Sequence, residues 1–129
     1  MKLSLLTVLL FIALSSCNSL MHRDTVKDFI PGRYTQVFHQ EYSKGRDTLV
    51  ISSLNDASGT FRIERHITYT PIHDGRLLPE EHHEETWIAL YNEATKQLLE
   101  QRWGKIFSFS PENRCLYLGS TKYDKIGNQ

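Results

Sequence analysis

The densest group of chemically capable side chains in this 129-residue chain is Pro79-Glu80-Glu81-His82-His83-Glu84-Glu85, with His73 and Asp74 just upstream. Imidazole and carboxylate together could hold zinc or another divalent cation. The order of the residues argues against it. On a strand His82 and His83 point to opposite faces, and Glu-His-His-Glu is not the His-Glu-x-x-His of helical zinc hydrolases. The stretch reads as a solvated, charged lead into the strand around Trp87, and no metal is expected. Glu80, Glu81, Glu84 and Glu85 could serve glycoside hydrolysis only if two of them faced each other across a cleft, one with a raised pKa. So polar a context singles out no pair. The sequence contains no Gly-rich phosphate loop, serine nucleophile elbow or Cys-His-Asn layout. No catalytic residue and no cofactor is assigned, and the protein is not expected to be an enzyme.

The remaining reactive groups are two cysteines. Cys115 lies in the alternating run Arg114-Cys115-Leu116-Tyr117-Leu118, where a buried cysteine acts as a small hydrophobe. Cys17 follows Lys2 and an apolar and hydroxyl run from Leu3 to Ala13. A basic start, an apolar core of about a dozen residues and small residues before a cut describe a secretory leader, too short for a spanning helix of about 18 apolar residues. An ordinary leader with Cys17 merely near the cut is the plainer alternative.

Leu14-Ser15-Ser16-Cys17 resembles the lipobox of bacterial lipoproteins. The resemblance implies that residues 1–16 are a lipoprotein signal peptide, that cleavage falls before Cys17, and that Cys17 carries a diacylglyceryl group and an acylated amino terminus. Two or more acyl chains hold a protein stably on a membrane where one holds it marginally. Asn18 after the cysteine points to the outer membrane, and the lack of an acidic cluster in Asn18-Ser19-Leu20-Met21 points to a periplasm-facing position. With Cys17 modified, Cys115 has no partner for an internal disulfide.

The elements that would position any site come from the mature chain. Removing 16 of 129 residues leaves 113, enough for one small domain. Lys2 is the only charge lost, leaving 14 basic against 15 acidic residues. That balance predicts neither nucleic-acid binding nor a polybasic grip on lipid. Residues 17–29 read as a lipidated start and tether with no strand or helix period, and residues 30–127 as the folded domain. From Gly32 the pattern has period two, clearest where Phe61, Ile63, Ile67 and Tyr69 share a face that Arg65 interrupts. Further runs are Tyr34 to Tyr42, Leu49 to Ile51, Trp87 to Tyr91, Lys96 to Trp103, Ile106 to Phe109 and Leu116 to Leu118. Hairpin connections are expected at Ser43–Arg46, Asn55–Gly59, His73–Arg76, Asn92–Thr95 and Ser110–Asn113. The pattern predicts an all-β, antiparallel, up-and-down meander of about seven or eight strands, closed or nearly closed into a small barrel or half-barrel.

Pro31-Gly32-Arg33-Tyr34, Trp87, Trp103 and the closing Gly119 to Ile126 resemble a small lipocalin-like lipoprotein. Asp47 to Ile51, Asp74 to Pro79, Gln101 to Phe109 and Tyr123-Asp124-Lys125-Ile126 are similar to a family of Bacteroidetes lipoproteins of unknown function, often associated with conjugative-transposon genes. This implies a cell-envelope lipoprotein acting as an accessory or protein-interaction module in a conjugation apparatus, with an envelope protein as partner. The aromatic residues allow an alternative, because a small barrel either fills its interior or leaves a cavity for one small apolar ligand. Trp87, Trp103 and Tyr34 are the expected lining of such a cavity. The anchor is tested directly: Cys17→Ala should remain uncleaved and lose all fatty-acid label, and continued labelling of that variant refutes lipidation at Cys17.

Overall fold

The computed structural model describes residues 23–127; the expected signal peptide, Cys17 and the first part of the expected tether lie outside the described residues. A one-turn helix, α1 (Thr25–Phe29), precedes nine strands: β1 (Gly32–His39), β2 (Ser43–Asn55), β3 (Thr60–His73), β4 (Arg76–Leu77), β5 (Glu81–Asn92), β6 (Gln97–Glu100), β7 (Ile106–Ser110), β8 (Cys115–Leu118) and β9 (Thr121–Gly127). Leaving β4 aside, the other eight pair antiparallel in chain order, with β3 pairing β5, and β9 pairs with β1, which closes the sheet. β4 only extends the β3 hairpin, through Ile72 opposite Leu77 and His73 opposite Arg76. The fold is an up-and-down, lipocalin-like barrel.

Register explains the core. Leu49 lies opposite both Tyr34 and Arg65, Ile63 opposite Trp87, Phe61 opposite Ala89, and Leu98 opposite Phe107. Alternation therefore sends these side chains to one face, and all but Arg65 are fully or almost fully buried, together with Ile51, Leu116 and Tyr123. The outer face carries Arg62, Glu64, His66, Lys122 and Asp124 together with the exposed apolar residues Val37, Ile88, Leu90 and Ile106. Cys115 is buried and unpaired.

Strand direction alternates, so each end has its own set of loops. Turns 56–59, 93–96 and 111–114, the start of β1 and the end of β9 form one end. Here α1 acts as a plug. Phe29, Tyr34 and Phe109 meet edge to face, with ring centroids 5.9–6.4 Å apart, and Ile30 is fully buried. The Tyr34 hydroxyl donates to the carbonyls of Phe29 and Ile30 at 3.0 and 2.9 Å, and burial pushes its pKa up. Lys125 Nζ donates to the same Phe29 carbonyl. Asp24 caps α1 by accepting from Lys27 N–H at 3.1 Å, and also accepts from the Tyr91 hydroxyl and Lys96 Nζ, both at 2.8 Å. Desolvation works to raise the Asp24 pKa, but these donors outweigh it and hold the carboxyl at about 2.

Three expectations need correction. Residues 18–29 were expected to lack regular structure, yet Thr25–Phe29 is helical because the Asp24 cap and the Phe29–Ile30 plug fix it to the barrel. Ser43–Arg46 is not a turn; the chain reverses over 40–42, and Gly45 lies within β2. A glycine is needed there by close approach, since a Cβ would sit 2.2 Å from the Thr68 carbonyl oxygen and 2.7 Å from Tyr69 Cα. The strand expected from Lys96 to Trp103 ends at Glu100, for a reason given below. By contrast Asp74 and Gly75, with φ of 49° and 75°, have the two positive angles of the tight hairpin expected at that pair. Gly45→Ala should lower stability by about 1–3 kcal/mol, the usual cost of overpacking. Urea denaturation checks this, and an unchanged midpoint would contradict the close approach.

Candidate functional site

The opposite end is open because the strands differ in length. β2, β3 and β5 run for 13, 14 and 12 residues, whereas β6, β7 and β8 have 4, 5 and 4. The long strands stand above the short wall, and the inner face there is only half covered, at Ile67 and Tyr69 of β3 and at Phe38 of β1. Two hollows result, with Arg65 lining both. One, of about 530 Å³, is lined by Arg65, Glu85, Thr86, Trp87, Arg102, Trp103 and Lys105. The other, about 320 Å³, lies across Arg65 against Phe38, Ile67 and Tyr69.

Arg65 stands between them because of a residue 18 positions earlier. Asp47 is in phase with Leu49 and Ile51, so its carboxylate points into the barrel and is buried. A buried charge is tolerable only when it is paired and hydrogen-bonded. Arg65 Nε donates to Oδ1 at 3.0 Å and to Oδ2 at 3.1 Å, Nη2 donates to Oδ2 at 2.7 Å, and the Tyr123 hydroxyl donates to Oδ2 at 2.8 Å. The bond to Asp47 raises the Arg65 pKa. Burial, then the Asp47 contact, pushes the Tyr123 hydroxyl up. This polar layer is the boundary between dry core and wet mouth.

A second buried carboxylate shapes the rim. Glu100 accepts from the backbone N–H of Arg102 at 2.8 Å, Trp103 at 2.7 Å and Lys105 at 3.4 Å. Desolvation works to raise its pKa, but these three donors outweigh it and the net direction is down. Folding the 101–105 loop back onto Glu100 is what ends β6, and it sets three side chains at the mouth. Arg102 Cζ lies 4.9 Å from the Trp103 ring centre, and Lys105 Nζ lies 5.3 Å from that of Trp87. Trp103 is 66% exposed, while Trp87 is nearly buried and floors the hollow.

Of the residues expected to line a ligand cavity, Trp87 and Trp103 come together and Tyr34 does not. Tyr34 belongs to the plug at the far end, its hydroxyl committed to two carbonyls. The histidines do not converge. His82 Nδ1 is 2.8 Å from Thr68 Oγ1 on the outer face, whereas His83 stacks on Tyr69 on the inner face, ring centroids 5.7 Å apart. Among the described residues no three His, Cys, Asp or Glu side chains are grouped to hold a metal. Asp47 and Arg65 were legible in principle as opposite charges each in phase with an apolar face. Glu100, Arg102 and Lys105 had no such signal, because an irregular loop has no period. No family of known proteins, no curated protein and no solved structure matches this chain.

The coupling of Asp47 to Arg65 is open to a double-mutant cycle. Arg65→Met, which strands a buried carboxylate, should cost about 3 kcal/mol of stability in urea denaturation. Asp47→Leu combined with Arg65→Met should cost clearly less than the sum of the single variants. Additive losses would show that the two side chains are not coupled.

Proposed function

We propose that this protein is a non-catalytic lipoprotein of the cell envelope, anchored through Cys17 in the outer membrane and facing the periplasm, whose open barrel end contacts a partner protein. The resemblance drawn from the sequence implies a partner in a conjugation apparatus. What supports the reading is the rim loop. Tryptophan and arginine are enriched among the few residues that dominate protein interfaces, and here Trp103 and Arg102 face solvent on a loop that Glu100 holds in place. Preorganisation lowers the entropic cost of binding.

The anchor and the rim suit one another geometrically. The described chain begins at Arg23 on the plugged end, six residues after Cys17, and six residues span at most about 20 Å. A barrel held so close to the membrane by its plugged end has its mouth directed away from it. The alternative of a small apolar ligand held inside finds less support, because the interior is filled from Phe29 to Trp87 and the mouth is lined by charged groups.

A photoreactive benzophenone amino acid in place of Gln101, beside the rim tryptophan, should cross-link the acylated protein to one envelope protein in intact cells. Trp103→Ala in that background should reduce the cross-link at least about tenfold, the effect of removing an interface hot spot. No cross-linked envelope protein, or one indifferent to Trp103→Ala, would refute this reading.

A further inference from the structure

We infer that the hollow between Arg65, Trp87, Trp103 and Lys105 is a binding site for a flat organic carboxylate. The inference deepens the reading above by naming the chemistry recognised at the mouth, and it rests on that reading only for the location of the site.

Charge is the first argument. Arg65, Arg102 and Lys105 line the hollow against the single acid Glu85. Neither Arg102 nor Lys105 has an ion-pair partner among the described residues. Arg65 spends Nε and Nη2 on Asp47, which leaves Nη1 without a protein acceptor among the described residues. The two buried carboxylates nearby are already committed, Asp47 to Arg65 and Tyr123, Glu100 to three backbone N–H groups. An Arg edge held in position by a carboxylate behind it is preorganised to hold a second carboxylate in front.

Glu85, Asp47 and Glu100, whose carboxylate interacts with Lys105, limit how much negative charge the site accepts. Three cations facing Glu85, one backed by Asp47 and one beside Glu100, suit at most a monoanion and oppose a polyphosphate. Shape supplies the rest. Trp87 floors the hollow with Arg65 Cζ 5.8 Å and Lys105 Nζ 5.3 Å from its ring centre, and Trp103 stands on the rim. Two indoles beside cations accommodate a planar body whose acid group reaches the cations. A volume of about 530 Å³ falls in the range of small-molecule sites.

The chain has two tryptophans, Trp87 and Trp103, and both line the hollow, so intrinsic fluorescence reports on it. The acylated protein in a neutral detergent is titrated with 4-nitrobenzoate and with its neutral counterpart 4-nitrobenzamide, both contact quenchers of indole. Nitrobenzoate should quench saturably and bind at least about tenfold more tightly than the amide, the margin of a charge-assisted hydrogen bond. Lys105→Gln and Arg102→Gln should erase most of that margin. Linear, unsaturable quenching, or equal affinity for the two probes, overturns the inference.

The two readings fail separately. Unsaturable nitrobenzoate with an intact Gln101 cross-link removes the ligand class alone; saturable nitrobenzoate without a cross-link removes the protein partner alone. Competition assigns the source of the carboxylate. Nitrobenzoate that blocks the cross-link shows that the partner's own acid group fills the site, and saturable binding without a block shows that a free acid does.

Discussion

Closure of the sheet between β1 and β9 is the constraint from which the other features follow. Once Tyr34 and Thr35 pair with Lys125 and Asp124, every strand of the barrel has a neighbour on both sides over part of its length, and the edge problem of an antiparallel meander is confined to the overhanging ends of the long strands. The cost is geometric. An eight-stranded barrel has an interior just wide enough to be filled by side chains, so every inward position must be apolar, paired or wet. Tyr34, Phe61, Phe107, Trp87 and the aliphatic residues between them take the first course. Asp47 takes the second, with Arg65 and Tyr123. Phe38, Ile67 and Tyr69 take the third, since the short wall from β6 to β8 never rises to cover them.

The two ends of the barrel differ because the chain treats them differently. At one end α1 and Ile30 enter the core, held by Asp24 to β5 and the following turn and by Lys125 to the Phe29 carbonyl. At the other, a buried carboxylate stands just below each of the two features that give the mouth its character. Asp47 holds Arg65 across the opening, and Glu100 gathers the 101–105 loop. Neither is a strong source of stability, because desolvation consumes most of what the pairing provides. Their effect is positional: they put cations and indoles at fixed places on a surface that would otherwise be a mobile loop above a dry core.

The proposed anchor near the plugged end and the shaped, cationic, aromatic mouth at the other would give the molecule a direction. The proposed lipid and the proposed binding site would thereby lie toward opposite ends of the barrel. Nothing in the filled interior has to open for binding, so the mouth can be occupied without moving the core.

The amino-acid sequence by itself determined the class of the fold. Period-two alternation over Phe61 to Tyr69 and turn residues at Asn55–Gly59, Asp74–Gly75 and Ser110–Asn113 are local properties, and a strand's two faces are written in neighbouring residues. It also marked Trp87 and Trp103 as a pair, and Arg65 as a break in an apolar face. It misplaced Tyr34 and Gly45, because whether a ring is plug or lining, and whether a glycine turns the chain or makes room for Thr68, depends on what another strand brings against it. Only the tertiary structure decided that Arg65 meets Asp47 and Tyr123, that Glu100 folds a rim, and that the long strands leave an open mouth. Those contacts join residues up to 76 positions apart, and no periodicity encodes a distance of that kind; closure of the sheet supplies it.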